Sequence, residues 1–167
     1  MERLWRPWRI AYVRDIDDIR DEGCIFCTKP AAGDDEASYI LHRGEKAFAI
    51  MNIFPYNTGH VMVSPYRHVG ELQDLDGEEL QELMSLTVLV VEAIQGEMRP
   101  QGFNLGMNLG KVAGAGFDEH VHMHVVPRWQ GDTNFMPVVG EVKVMPESLE
   151  ENYRRIRASI ESILPPD

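Results

Sequence analysis

Positive charge is scarce in this sequence. Of 167 residues, 16 are Lys or Arg and 27 are Asp or Glu, a formal net charge of -11 at pH 7. Binding along a nucleic-acid backbone needs clustered Lys and Arg to displace counterions, so that class of partner is excluded and an anionic substrate must be small and locally held. Long apolar runs are missing too. No stretch approaches the roughly 18 residues of a membrane span, and the start Met1-Glu2-Arg3-Leu4-Trp5 lacks the apolar core of a secretory signal. A cytoplasmic protein with no membrane partner is expected. No repeat or low-complexity tract is present, and the ten prolines and fourteen glycines are spread along the chain rather than gathered into a linker. One domain over residues 1–167 is expected, of a size that buries about 70% of its unfolded surface.

What the chain does have is a concentration of histidine. Three of its six histidines stand at two-residue spacing in His120-Val121-His122-Met123-His124-Val125-Val126. Successive side chains of a β-strand point to opposite faces, so His120, His122 and His124 share one face while Val121, Met123 and Val125 bury the other. Imidazoles so placed bind a metal, move protons, attack an electrophile or hold an anion. Three rings on one face without partners are costly to bury, which argues against a merely structural role. The spacing alone leaves a metal site and a nucleophile site both open.

The remaining elements follow from periodicity and punctuation. Tyr39 to His42, Ala47 to Asn52 and His60 to Ser64 read as an antiparallel meander, interrupted by Pro55 and the Asn57-Thr58-Gly59 turn. Lone histidines such as His42 and His60 read as hydrogen-bonded structural residues. Asp76 followed by Glu79 marks a helix start, and Leu80, Leu83, Met84, Thr87, Val91 and Ile94 recur at helical spacing up to Gly96 as its core face. Leu149, Tyr153, Ile156, Ile160 and Ile163 make a second amphipathic helix stopped by Pro165. The glycines of Gly110 to Gly116 form either a flexible turn or a loop whose backbone N–H groups approach a phosphate. Trp129 reads as a buried residue at a strand end, outside the site.

Cys24-Ile25-Phe26-Cys27 contains the only cysteines, a spacing that suits half a zinc site, a redox pair or two buried thiols. At the amino terminus an arm of about residues 1–22 carries two tryptophans and three arginines in its first nine residues, then an acidic run from Asp15 to Glu22. It either packs on its own domain or is covered by a second subunit.

The triad motif resembles the signature of the histidine triad (HIT) superfamily, in which histidines alternate with apolar residues. Phe48 to Asn52 and Ile53-Phe54-Pro55-Tyr56-Asn57-Thr58-Gly59-His60-Val61-Met62-Val63 resemble the segment preceding it. Pro127-Arg128-Trp129, Gly131-Asp132-Thr133-Asn134-Phe135 and Leu4-Trp5-Arg6-Pro7-Trp8-Arg9 are similar to the branch that includes diadenosine tetraphosphate phosphorylases. The implied fold is α+β, an antiparallel sheet of about five strands with one long central helix and a C-terminal helix. The implied activity is cleavage at the α-phosphate of dinucleoside polyphosphates by a homodimer, through a nucleotidyl-histidine on His122. By the same resemblance His124 and His120 assist, Asn52 contacts the ribose, and Asn108, Gly114, Gly116 and His124 hold phosphate. Cys24, Cys27, His68 and His120 match a structural zinc site. Where many relatives place Gln and Ser four and three residues before the first triad histidine, this chain has Gly116 and Phe117. Two other readings remain: a metal-dependent hydrolase or metal-binding protein that ligates one ion with all three histidines, and a nucleotide-binding protein with little turnover.

Overall fold

The computed structural model describes residues 23–132 and 147–165; the arm, Thr133 to Phe135 and the last two residues lie outside them. The elements, in chain order, are helix α1 (Ile25–Ala31), the short helix α2 (Asp35–Ser38), strands β1 (Ile40–Arg43), β2 (Ala47–Met51) and β3 (Val61–Pro65), helix α3 (Gly77–Met98), strands β4 (Gly102–Gly106) and β5 (Met123–Arg128), and helix α4 (Leu149–Ile163). The strands form one antiparallel sheet in the order β1-β2-β3-β5-β4, and the expected meander is its first half.

Both faces of this sheet are covered, which explains why β2 and β3 are buried at every position rather than at alternate ones. Ala47, Ala49, Met51, Val61, Val63 and Val125 face α3 and α4, where Leu83, Val90, Ile94, Tyr153, Ile156 and Ile160 complete a core. Each fully buried Val, Leu or Ile among them contributes about 1.5–3 kcal/mol. The intervening residues Phe48, Ile50 and Met62 turn to the other face and pack with Phe26 of α1 and Ile40. Met62 pairs directly with His124, so this second, smaller core runs straight into the triad.

Helix α3 begins as expected, with a complete capping box: the Glu79 N–H donates to Asp76 at 2.8 Å and the Asp76 N–H donates to Glu79 at 2.9 Å. It runs past Gly96 to Met98, because the stop is Pro100, ahead of which Arg99 turns left-handed at φ 49°. The core face is also rotated from the expected one. Leu83, Leu86, Thr87, Val90, Ala93 and Ile94 are buried, whereas Leu80, Met84 and Val88 are exposed. Helix α4 buries Tyr153, Ile156 and Ile160 of its expected stripe, while Leu149 is half-buried and Ile163 at the last turn is exposed; the Ser148 hydroxyl accepts from the Glu151 N–H at its start. The Asn57-Thr58-Gly59 turn uses glycine where φ is +74°. No described helix is long and apolar enough to cross a membrane.

Candidate active site

His124 lies in β5, but His120, at a bend, and His122 precede it outside the strand, without ladder pairing. The alternation therefore outlasts the strand. All three rings are buried, and each meets different partners.

Those partners fix the tautomers. A carbonyl only accepts, so the His122 ring carries its proton on Nδ1, which donates to the His120 carbonyl at 2.8 Å. Its Nε2 keeps the lone pair, and the ring lines a cavity between α1, β2 and the loop before the triad. Burial pushes the pKa of His122 below the ordinary value, against the opposing pull of that carbonyl. The ring is a neutral imidazole with a free nitrogen at neutral pH, the state a nucleophile needs.

His124 is set by a longer chain of donors. The Tyr56 backbone N–H donates to His60 Nδ1 at 3.0 Å, and His60 Nε2 lies 2.9 Å from His124 Nδ1. A neutral His60 must then carry its proton on Nε2 and donate it to His124, which in turn keeps its own proton on Nε2. The His124 ring lines the same cavity, and the Asn108 carboxamide lies 3.5 Å from that Nε2. His60 is thus no bland structural residue, as its isolation in the sequence implied; it is fully buried and orients a triad ring. The available signal was parity, since His60 precedes Val61 and shares the Met62 face that pairs with His124. His42, by contrast, is half-buried on β1.

His120 turns the other way. Its Nε2–H donates to the Pro65 carbonyl at 2.9 Å, so the Nδ1 lone pair faces Cys24 Sγ at 3.3 Å, Cys27 Sγ at 3.6 Å and His68 Nδ1 at 3.2 Å. Burial first, then the neighbouring His68 and His122, push its pKa down to about 4. The two cysteines converge because α1 starts between them, with the Cys27 N–H donating to the Cys24 carbonyl at 2.9 Å. His68 is brought in by the pairing of Val121 N–H with the Val69 carbonyl at 2.7 Å. Gly70 permits that approach, as a Cβ there would meet the Asp118 carbonyl at 2.9 Å.

These four donor atoms all lie within 4.8 Å of one another. Zinc bonds of about 2.3 Å to sulfur and 2.0–2.1 Å to nitrogen place tetrahedral N···N neighbours about 3.3 Å apart and N···S neighbours about 3.6 Å apart. The observed separations fit a divalent cation of that size. With no cation, burial and the charge of Cys27 push the Cys24 thiol up to about 11, so a metal is what would favour the thiolates. Two thiols, two imidazoles and a carbonyl behind His120 make a closed ligand set.

The expected substrate residues Asn52, Asn108, Gly114 and Gly116 all line the cavity with His122 and His124. The Asn52 side chain accepts from the Phe54 N–H at 2.9 Å, which fixes its amide at the cavity rim. Gly114, at φ +94°, donates its N–H to the Lys111 carbonyl at 3.0 Å. Its share in the wall is therefore bare backbone, with its own N–H committed within the turn. Trp129 is half-buried and lies elsewhere, beside Asn57 and Thr58. Two aromatic residues of the site drew no attention in the sequence: Phe26 stacks on His122 with ring centroids 4.5 Å apart, and Tyr56 tilts over His60 at 4.5 Å.

An antiparallel sheet that delivers alternating histidines to a covered cavity, one ring with a free nitrogen inside it, defines the histidine triad class. The chain belongs to the HIT domain family, whose profile matches residues 35–131. It is 42% identical over 160 residues to the AP-4-A phosphorylase of Mycobacterium tuberculosis H37Rv, covering 92% of this chain and 82% of that protein. It is 34% identical over 95 residues to the bis(5'-adenosyl)-triphosphatase of Dictyostelium discoideum, 57% of this chain and 63% of that one. Among solved structures it is similar to a zinc-bound histidine triad family protein from Mycobacterium smegmatis, with a TM-score of 0.69 at 25% identity over 85% of this chain and 96% of that one.

Proposed function

We propose that this protein splits dinucleoside polyphosphates such as diadenosine tetraphosphate at an α-phosphate, with His122 as the nucleophile. The observation that carries the reading is the His122 ring, neutral, its Nδ1 proton committed to the His120 carbonyl and its Nε2 open to the cavity. The names of the two curated relatives support the substrate class. In the first step Nε2 attacks the α-phosphorus, the N–P bond forms, and the bond to the bridging oxygen breaks to release ATP. The His124 Nε2–H, held by the relay from Tyr56, donates to a phosphate oxygen and offsets charge developing there. Asn52 contacts the ribose, and Asn108 with the Gly114 and Gly116 backbone bounds the phosphate. In the second step water yields AMP and phosphate yields ADP; the name of the 42% identical relative supports phosphate.

Cys24, Cys27, His68 and His120 hold a structural zinc in this reading. Four protein ligands leave no open coordination position, so the ion fixes the segment behind His122 and takes no part in the chemistry. A single ion on all three triad histidines finds no support, because the lone pair of His120 faces the cysteines while that of His122 faces the cavity. The protein works in the cytoplasm as one domain and as a homodimer. Support for the dimer comes from Leu80, Met84 and Val88, one exposed apolar stripe on α3, and from β4, an edge strand of the sheet among the described residues. Leu105 of that edge is 49% exposed and pairs with Val125, so it faces the same side of the sheet as α3.

Intact mass after a brief acid-free quench with diadenosine tetraphosphate tests the reading. A nucleotidyl adduct is expected on the wild type and absent from His122→Gly, whose turnover falls by at least about 10³-fold. Tight nucleotide binding with no adduct would leave a binding protein instead.

A further inference from the structure

A nucleophilic imidazole must be held in two respects. Its nitrogen lone pair lies in the ring plane, so both the direction of the ring within its plane and the tilt of the plane decide where the lone pair points. The hydrogen bond from His122 Nδ1 to the His120 carbonyl fixes the first and leaves the ring free to tilt about that contact. A tilt of about 20° moves the point of attack, about 3 Å away, by about 1 Å, a misplacement that costs on the order of 10²-fold in rate.

The tilt is held by Phe26. Its ring lies against the His122 ring at 4.5 Å between centroids and 27° between planes, a face-to-face contact, while His124 meets His122 edge-on at 4.8 Å and 77°. Phe26 cannot yield. It is 1% exposed, it is packed by Phe117 edge-on at 6.0 Å, and it belongs to the small core with Ile40, Phe48, Ile50 and Met62. It also sits between Cys24 and Cys27, so the first turn of α1, which carries the thiols of the cluster, carries this ring as well. Both restraints on His122 thus come from segments that belong to the cluster, the ring face from the cysteine-bearing start of α1 and the carbonyl from His120.

We infer that Phe26 is a positioning residue for the His122 nucleophile, setting the plane of its ring, and that the Cys24–Cys27 start of α1 serves catalysis by holding this ring in place. The inference deepens the proposed function and rests on His122 being the nucleophile. It requires an aromatic face at position 26 and not merely apolar volume.

The experiment compares wild type, Phe26→Leu and Phe26→Tyr, each assayed for single-turnover adduct formation with diadenosine tetraphosphate, for the nucleotide concentration at half-maximal rate, and for metal count by native mass. Proton–nitrogen correlation spectra of the His122 ring, recorded without nucleotide, accompany them. Leucine at 26 is expected to slow adduct formation about 10- to 100-fold while half-saturation moves less than about threefold and the metal count stays the same. The His122 ring protons should move downfield as the aromatic face is lost, and tyrosine should restore rate and spectrum together. An unaltered His122 spectrum in Phe26→Leu, an unaltered rate, or a loss carried wholly by half-saturation would each overturn the inference. Were Phe26→Leu to lose its cooperative melting transition, Phe26→Met supplies the same comparison. A wild type that forms no adduct would remove the proposed function, and the spectra would still decide whether Phe26 sets the ring.

Discussion

The two faces of the sheet are built from the same strands by the same alternation, yet they do opposite things with it. On one face Ala49, Val63 and Val125 meet α3 and α4 and form an apolar core whose partners are interchangeable in kind. On the other, Phe48, Ile50 and Met62 begin a core that ends in rings which each demand a particular neighbour: Pro65 and the cluster for His120, the His120 carbonyl for His122, His60 for His124. Apolar burial is non-directional and tolerates many solutions, whereas a buried imidazole needs a donor on one nitrogen and an acceptor on the other. The difference teaches where substitutions cost stability and where they cost chemistry.

The largest effect is expected on the helix face. Ile94→Ala removes a fully buried side chain and should lower the unfolding free energy by about 2–5 kcal/mol in urea titrations, with activity per folded molecule retained. Comparable loss of specific activity in the folded fraction would break the division between faces. On the histidine face, His60→Ala cuts the relay to His124 and should slow adduct formation roughly 10- to 100-fold, as removal of a residue orienting an active ring does. Unchanged single-turnover rates would show that His124 orients itself.

The pH dependence sharpens the same contrast. Because burial lowers the pKa of His122, the neutral ring persists below the ordinary histidine value, and activity falls with acid only beneath it. The acid limb of kcat/KM should have its midpoint below about 6.5, and a midpoint above that value would contradict a buried neutral nucleophile. The same sign holds for stability. In the metal-free chain His120 is neutral when folded down to about 4, so between about 6.5 and 4 the unfolded chain binds a proton that the folded one does not, and the stability of the metal-free chain is lost as pH falls through that window. The smallest effect on stability is expected outside both faces. Val88→Glu, at a residue 60% exposed on α3, should lower the native mass to that of one chain while changing the unfolding of the single chain itself by less than about 0.5 kcal/mol. A retained double mass would place the subunit contact elsewhere.

Much of this was legible in the sequence where the signal was local. The capping box of α3 is written in Asp76 and Glu79, and the stripe of α4 in Tyr153, Ile156 and Ile160. The side of α3 that is core was not legible, since Leu80, Met84 and Val88 make as regular a stripe as Leu83, Leu86 and Val90 and only packing chooses between them. Phe26 and His60 carried no motif of their own. Each acquires its part in the site from a ring far along the chain, 96 residues on for Phe26 and 64 for His60.

By itself the sequence determined that His120, His122 and His124 share a side, that a meander precedes them and that two helices accompany the sheet, because alternation and helical periodicity are properties of the local backbone. The tertiary structure alone decided which way each lone pair points. That depends on single carbonyls and N–H groups, those of Pro65, His120 and Tyr56, delivered by elements whose approach no short stretch of chain encodes.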